Sequence, residues 1–185
     1  MHVMIDLETL GTRPDAAIIQ IGAVLFEPVS GGKVLNDKGF NRHVLIQDGT
    51  GTIDHSTVAW WMQEKSVNKM GEALATKAIG LGAALEDLVA WPVKVGVSSW
   101  EVIEGVWANP VDFDLPILRS AFAKFSASPP WDRHASRDAR TLFQLVGGRP
   151  DVDMTGFTYH DALDDAVVQA MAVQKAMSLL KGLTA

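Results

Sequence analysis

Hydrophobic and polar positions alternate from His2 to Glu8. Val3, Ile5 and Leu7 share one parity and Met4, Asp6 and Glu8 the other, which predicts a strand. Ala17 to Phe26 is apolar on both parities and predicts a central strand; Phe40 to Ile46 predicts a third. The short loops between these three favour antiparallel neighbours. Helical spacing follows in Ser56–Gln63, with Val58, Trp60 and Trp61, and in Leu81–Trp91, with Leu81, Ala84, Leu85, Leu88 and Trp91. Val102–Ala108 predicts a buried strand ended by Asn109-Pro110, and Leu115–Phe125 a helix with Pro116 in its first turn. A short strand near Arg133–Asp138 and a helix over Thr141–Val146 come next. In the last helix Leu163, Val167, Ala170, Val173, Met177 and Leu180 form one stripe, and Asp161, Asp165 and Gln169 line another face. This order predicts an α/β fold: a mixed sheet with three antiparallel strands first and parallel crossovers after, flanked by helices.

Length and composition narrow the picture. At 185 residues, with no repeat and no long Pro/Gly/Ser linker, the chain is expected to form a single domain over 1–185. Apolar residues at 48% and charged residues at 21% exclude disorder as the main state. There is no Cys, which excludes a disulfide scaffold, a thiolate metal site and a Cys nucleophile, and suits a reducing, cytoplasmic compartment. The longest apolar run, Ala16–Phe26, contains Gln20 and falls short of a membrane span, and the N-terminus shows no secretory pattern. A net charge of −6 argues against a nucleic-acid binder that relies on a bulk basic surface.

Three features carry candidate chemistry, each with a plain alternative. Asp6 and Glu8 lie two apart in a strand, so both point to one face about 6–7 Å apart. Paired acids on an apolar strand repel and pay desolvation, which divalent cations reverse; otherwise they are solvated at the strand end. Asp114 follows the fourth strand, where α/β folds place their sites, and equally suits an N-cap before Leu115-Pro116; Asp112 competes with it. His160 and Asp165 open the last helix. His is a usual general base near neutral pH, while Asp161, Asp164 and Asp165 also suit a helix N-terminus.

In conjunction these features resemble the DEDDh 3′→5′ exonucleases of the ribonuclease H-like superfamily. The first motif, Asp-x-Glu followed by Thr, stands as Asp6-Leu7-Glu8-Thr9-Leu10-Gly11. The second stands as Asn109 ahead of Phe113-Asp114, which selects Asp114 over Asp112; the third, His-x-Ala-x-x-Asp, runs from His160 to Asp165 and selects Asp165 over Asp164. Ile18–Phe26, Trp60-Trp61 and Arg137–Leu142 resemble a phage and actinobacterial branch similar to mycobacterial exoribonuclease-like and exodeoxyribonuclease VIII-like proteins. Pro110 and Asp112 fill positions where relatives often carry small neutral residues.

The resemblance implies a ribonuclease H-like fold and hydrolysis of single-stranded DNA or RNA from its 3′ end to nucleoside 5′-monophosphates. Asp6, Glu8, Asp114 and Asp165 would ligate two divalent ions, Mg²⁺ or Mn²⁺, and His160 would deprotonate the attacking water. Thr9 and Leu10 would lie beside the terminal nucleotide, Leu10 against a base, with Asn109, Arg137 and Arg140 as further substrate contacts. The resemblance also allows a homodimer and implies a bacterial or phage-infected host cytoplasm. Two other readings stay open: a ribonuclease H-like endonuclease, and a silent nucleic-acid-binding module of the same fold.

Charge and aromatic content add two expectations. The segment Arg119–Arg149 carries +4 and the rest of the chain −10, so that segment is expected to track phosphates. Of six Trp, Trp91 and Trp107 are expected in the core. Trp60 and Trp61 are adjacent and cannot share one helix face, so one of them is expected at a cleft or a partner surface.

Overall fold

The computed structural model describes residues 1–29, 31–47, 49–65 and 67–183. Strands β1 (His2–Thr9), β2 (Ile18–Phe26) and β3 (Phe40–His43) form an antiparallel meander. Strands β4 (Gly105–Ala108) and β5 (Ser136–Asp138) join parallel on the other side of β1, giving the order β3-β2-β1-β4-β5. Among the described residues six helices surround the sheet: α1 (His55–Trp61), α2 (Val67–Lys77), α3 (Leu81–Lys94), α4 (Val111–Ala123), α5 (Ala139–Leu145) and α6 (Ala162–Leu183). This is the expected mixed α/β sheet.

The period-2 alternation of β1 and β2 divides the core in two. Val3, Ile5, Leu7, Ile21, Ala23 and Leu25 pack against α3 and α4, through Leu85, Leu88, Leu115 and Leu118. Met4, Val24 and Phe26 face the other way, onto α5 and α6 through Leu142, Phe143, Val167, Ala170 and Val173. β2 is buried along its whole length, because both faces are covered and it lies between two strands. No helix among the described residues is long and apolar enough to cross a membrane.

The structure differs from the sequence expectation most at three boundaries and one helix. The predicted strand Val102–Ala108 is a 3₁₀ turn over Trp100–Val102 followed by the shorter β4. Pairing with β1 starts only at Gly105, opposite His2, because the chain enters the sheet beside Met1, whose carbonyl accepts from Glu104 N. Helix α4 starts four residues early, at Val111, so Pro116 falls in the second turn and Asp114 is no N-cap. The first helical N–H, Val111 N, donates instead to Asp138 Oδ1 at 2.9 Å, while Asp138 also caps α5 through Thr141 N. Strand β3 ends at His43, and Val44 only bridges to Ile79. Helix α2 was not predicted at all: it carries Gly71 and only Met70 is fully buried along it, so its apolar stripe is thin.

Candidate active site

The alternation that buries Met4 carries Asp6 and Glu8 onto the same face of β1, at its carboxyl end, beneath the first turns of α6. Asp6 Oδ1 accepts from Gln169 Nε2 at 2.7 Å. Asp114 arrives from α4, on the opposite face. β1 pairs with β4 only from His2 to Met4, so beyond that point the strand has free N–H groups on that side. Asp114 Oδ1 accepts from one of them, Leu7 N, at 3.0 Å, and the side chain is 2% exposed. A helical carboxylate thus replaces a strand at the place where β1 and β4 part.

Two residues of β2 bring α6 into position. Gly22 lies opposite Asp6, and a Cβ there would come within 2.1 Å of the Ala162 backbone, so only glycine admits the helix end this close to the sheet. Gln20 lies opposite Glu8 and is fully buried. Its Oε1 accepts from Ala162 N at 3.1 Å, and its Nε2 donates to Asp161 Oδ2 at 2.9 Å and Asn41 Oδ1 at 3.0 Å. Asp161 in turn accepts from Leu163 N and Asp164 N and closes the N-terminus of α6.

His160 immediately precedes this clamp, with a left-handed backbone at φ 58°. Its N–H donates to Asp165 Oδ2 at 3.0 Å. Its ring meets Trp60 edge-on, with centroids 4.8 Å apart, and its Nε2 lies 3.6 Å from Glu64 Oε2. One ligand atom each of Glu8, His160 and Asp165 lie within 4.8 Å of one another.

The acids are held against their electrostatic preference. Burial pushes Glu8 up to about 8, and Asp165, Asp114 and Asp161 push the same way. Burial raises Asp114 to about 7 despite the Leu7 N–H that favours its charged form. Asp6 is raised well above the carboxylate range by burial, then by Asp114, Glu8 and Asp165. Asp165 is raised by burial, offset in part by the His160 N–H and by the charge of Arg149. The donor set is carboxylate oxygen with one imidazole, the chemistry that suits Mg²⁺ or Mn²⁺. Gln169 Oε1 is buried with no partner beside the same acids. Bound cations would supply the compensation that the cluster lacks, so the residues present fit a divalent metal centre.

A family model for the Rv2179c-like 3′-5′ exoribonuclease domain matches residues 1–177. The chain belongs to that family. Among curated proteins no sequence matches significantly. Solved structures agree on the fold. The chain is similar to cell-death related nuclease 4 (CRN-4), at TM-score 0.61 and 15% identity over 94% of its length, although it spans 62% of the CRN-4 chain. It is similar to the nuclease domain of 3′hExo, a DEDDh family member bound to rAMP, at TM-score 0.60 and 13% identity, covering 97% of this chain and 92% of that one. It is also similar to Exonuclease X in complex with 5′ overhanging duplex DNA, at TM-score 0.55 and 20% identity, covering 96% and 91%. These likenesses show the fold, and the family model makes this a 3′-5′ exoribonuclease-like domain.

In this Rv2179c-like domain the five motif residues come together, and the other predicted contacts separate. Thr9 lines a groove of about 330 Å³ with Glu8, Trp60 and Phe113. Leu10 does not: it is buried with Ala17, Ile19, Trp61 and Met70, because Leu10 and Trp61 seal the end of the sheet under α1 and α2. The exposed tryptophan at the groove is Trp60, 41% exposed; Trp61 also lines it but is buried, with Nε1 donating to Thr9 O. Trp91 and Trp107 are in the core as expected. Asn109 is half-buried in the turn between β4 and α4, and Arg140 is exposed at the start of α5 beside Asp138.

Arg137 pairs with Trp107, itself opposite Met4, and its guanidinium is tied away from the acids, donating to the carbonyls of His134, Ser136 and Glu104. Glu104 stands just before the residue paired with His2, roughly 20 Å along β1 from Glu8. Asp112 is exposed on the first turn of α4, so the extra acid of the second motif stays in solvent. Sequence reasoning missed Gln20 and Gln169 as site residues. An uncharged side chain in an apolar strand or helix announces itself only as a polar interruption, as Gln20 does in Ile18–Phe26.

Proposed function

We propose that this chain removes nucleotides from the 3′ end of single-stranded nucleic acid, releasing nucleoside 5′-monophosphates, with divalent metal and with His160 as general base. The observation that carries this reading is the convergence of four carboxylates from three elements, all raised in pKa by burial, with the His160 imidazole beside two of them, Glu8 and Asp165. Asp6, Glu8, Asp114 and Asp165 would hold two ions, Mg²⁺ or Mn²⁺. Such ions, when bound, stabilise charge on the attacking and leaving oxygens of an in-line displacement at phosphorus.

The chain's own residues do the rest. Gln169 fixes Asp6 through its amide N–H, so that carboxylate presents a defined free edge. The Leu7 N–H does the same for Asp114 and the His160 N–H for Asp165. His160 takes the proton of the attacking water, and the Trp60 ring against it restricts the imidazole to one orientation. The groove beside Glu8, walled by Thr9, Trp60 and Phe113, takes the terminal nucleoside, with the exposed Trp60 face available for stacking.

The family's description as exoribonucleases makes RNA the first substrate to try. Single strands of RNA and DNA, labelled at the 5′ or the 3′ end, are incubated with Mg²⁺ or Mn²⁺. A one-nucleotide ladder shortening from the 3′ end is expected, with RNA cleaved faster. Discrete internal cuts, or turnover undiminished by a chelator, overturn the reading.

A further inference from the structure

The groove that would take the terminal nucleoside contains no Lys or Arg among the described residues. Cations lie on the other side of His160. A cavity of about 640 Å³ opens there, lined by Gln63, Glu64, Lys65 and Lys69 on one wall and by Phe157, Thr158, Tyr159 and His160 on the other. Lys65 precedes α2, and Lys69 lies on its exposed face. Lys69 and His160 also border the adjoining cavity of about 340 Å³, where Lys77 stands two turns further along α2. Tyr159 is 63% exposed at the mouth of the larger cavity. Of the acids nearby, Glu64 is turned to His160, and Glu72 and Asp161 line the adjoining cavity only.

The basic segment Arg119–Arg149 does not take this position. Arg119 donates to Ser136, Lys124 to the Thr50 carbonyl, Arg133 to the His134 ring and Arg137 to backbone carbonyls. Of the segment's six cations, only Arg149 borders the acids, in a cavity with Asp165 and Gln169 that shares Tyr159 and His160 with the larger one.

We infer that the α2 face beyond His160 is the track for the unpaired strand upstream of the scissile bond. Lys65 and Lys69 meet its phosphates, and Tyr159 stacks one of its bases. The chemistry follows from strand polarity. A 3′-terminal nucleoside brings a base and a sugar to the reacting phosphate, which suits a groove of small polar and aromatic groups. Every nucleotide on the 5′ side adds a phosphate, which needs cations, and an unpaired base, which needs a ring. A base can reach Tyr159 only if it is unpaired. The inference rests on the exonuclease reading for the position of the scissile bond.

The test separates the two. Binding of a 5′-fluorescein ten-nucleotide single strand is followed by anisotropy in chelator between 20 and 200 mM KCl. For K65Q/K69Q, affinity is expected to fall on the order of tenfold at 0.1 M salt and the log–log salt slope by about 1.4, two contacts at about 0.7 each. R133Q/R137Q is expected to keep the wild-type slope. Tyr159→Ala is expected to weaken binding on the order of tenfold with no change of slope, and Tyr159→Phe to restore it. An unchanged slope in K65Q/K69Q, or a slope lost in R133Q/R137Q instead, overturns the inference. Equal loss in Tyr159→Phe and Tyr159→Ala removes the stacking role.

Hydrolysis of a p-nitrophenyl ester of a nucleoside 5′-monophosphate, which has no upstream chain, reports the chemistry alone. Failure of the wild type on that ester counts against the active-site reading and leaves the binding result standing. With an active wild type, the preference for the ten-nucleotide strand over the ester is expected to collapse about tenfold in K65Q/K69Q, and a retained preference overturns the track.

Discussion

The two ends of β1 share a strand, a face and a covering helix, and they differ in almost everything else. At the amino end Met4 packs with Val24, Phe26 and Trp107 against Val173 and Ala176 of α6, all buried. Two residues on, the same face carries Asp6 and then Glu8, under Asp165 and Gln169 of that helix. Burial at the first end removes apolar surface from water and is favourable by about 25 cal/mol per Å². Burial at the second raises the pKa of every acid. The molecule holds its helix with one end of the strand and stores unsatisfied charge at the other. The acids stay in place because the Gln20 clamp and the apolar stripe of α6 over-determine their positions.

The contrast can be broken from either end. His160→Ala should lower turnover by about 10²–10⁴-fold, measured as kcat on a labelled strand, with the thermal midpoint near wild type. A rate within twofold of wild type would remove His160 from the chemistry. Asp6→Asn should cost more than about a hundredfold, beyond the usual effect of a group that merely supports a metal ligand. The same variant should melt a few degrees higher than wild type in chelator, since a neutral amide relieves the repulsion while still accepting from Gln169. A folded variant with normal turnover would falsify the metal assignment.

Met4→Ala should do the reverse. A loss of about 2–5 kcal/mol in urea unfolding is expected, with activity falling only as the folded fraction falls. A specific loss of kcat in the fully folded variant would show that the two ends are not separate.

The smallest effect concerns pH. Glu8 and Asp114 are raised to about 8 and about 7 in the folded chain, against ordinary values of 4.5 and 3.8. A raised acid binds its proton more tightly when folded, so its contribution is present in acid and is lost as pH rises through 7 and 8. The chelated protein should therefore lose a few degrees of thermal midpoint between about pH 5 and pH 9. Excess Mn²⁺ should restore more at the alkaline end than at the acid end. A midpoint equally raised by Mn²⁺ at both ends would break the link between the buried acids and the metal.

Much of the site was legible because its signals are local. Asp6 and Glu8 share a face by strand parity alone, and His160, Ala162 and Asp165 lie within two turns of one helix start. Asp114 was legible as a metal ligand only through the resemblance to the family motif. Its spacing before Leu115-Pro116 suggests a cap, and only the early start of α4 aims it at Leu7 N. Arg137 and Leu10 show the limit from the other side. Each lies in a stretch that resembles the family, and carbonyl contacts or core packing turn it away from the acids. The lysines of α2 carried no signal, because exposed lysines on a thinly amphipathic helix look alike whether or not a groove opens beside them.

By itself the sequence determined the mixed sheet, the two-faced alternation of β1 and β2, and the identity of the five residues that meet at its carboxyl end. The sheet and its alternation follow from periods of 2 and 3.6, which act within a few residues; the five residues follow from the resemblance to the DEDDh motifs. Only the tertiary structure decided what surrounds them: Gly22 yielding space to the helix, Gln20 tying Asp161 and Ala162 to Asn41, and Gln169 holding Asp6. It also decided which cations face the cleft. Such contacts join positions more than 100 residues apart, Gln20 to Asp161 and Asp6 to Gln169 among them. Their existence depends on how the two sheet faces are filled, and no local pattern encodes that.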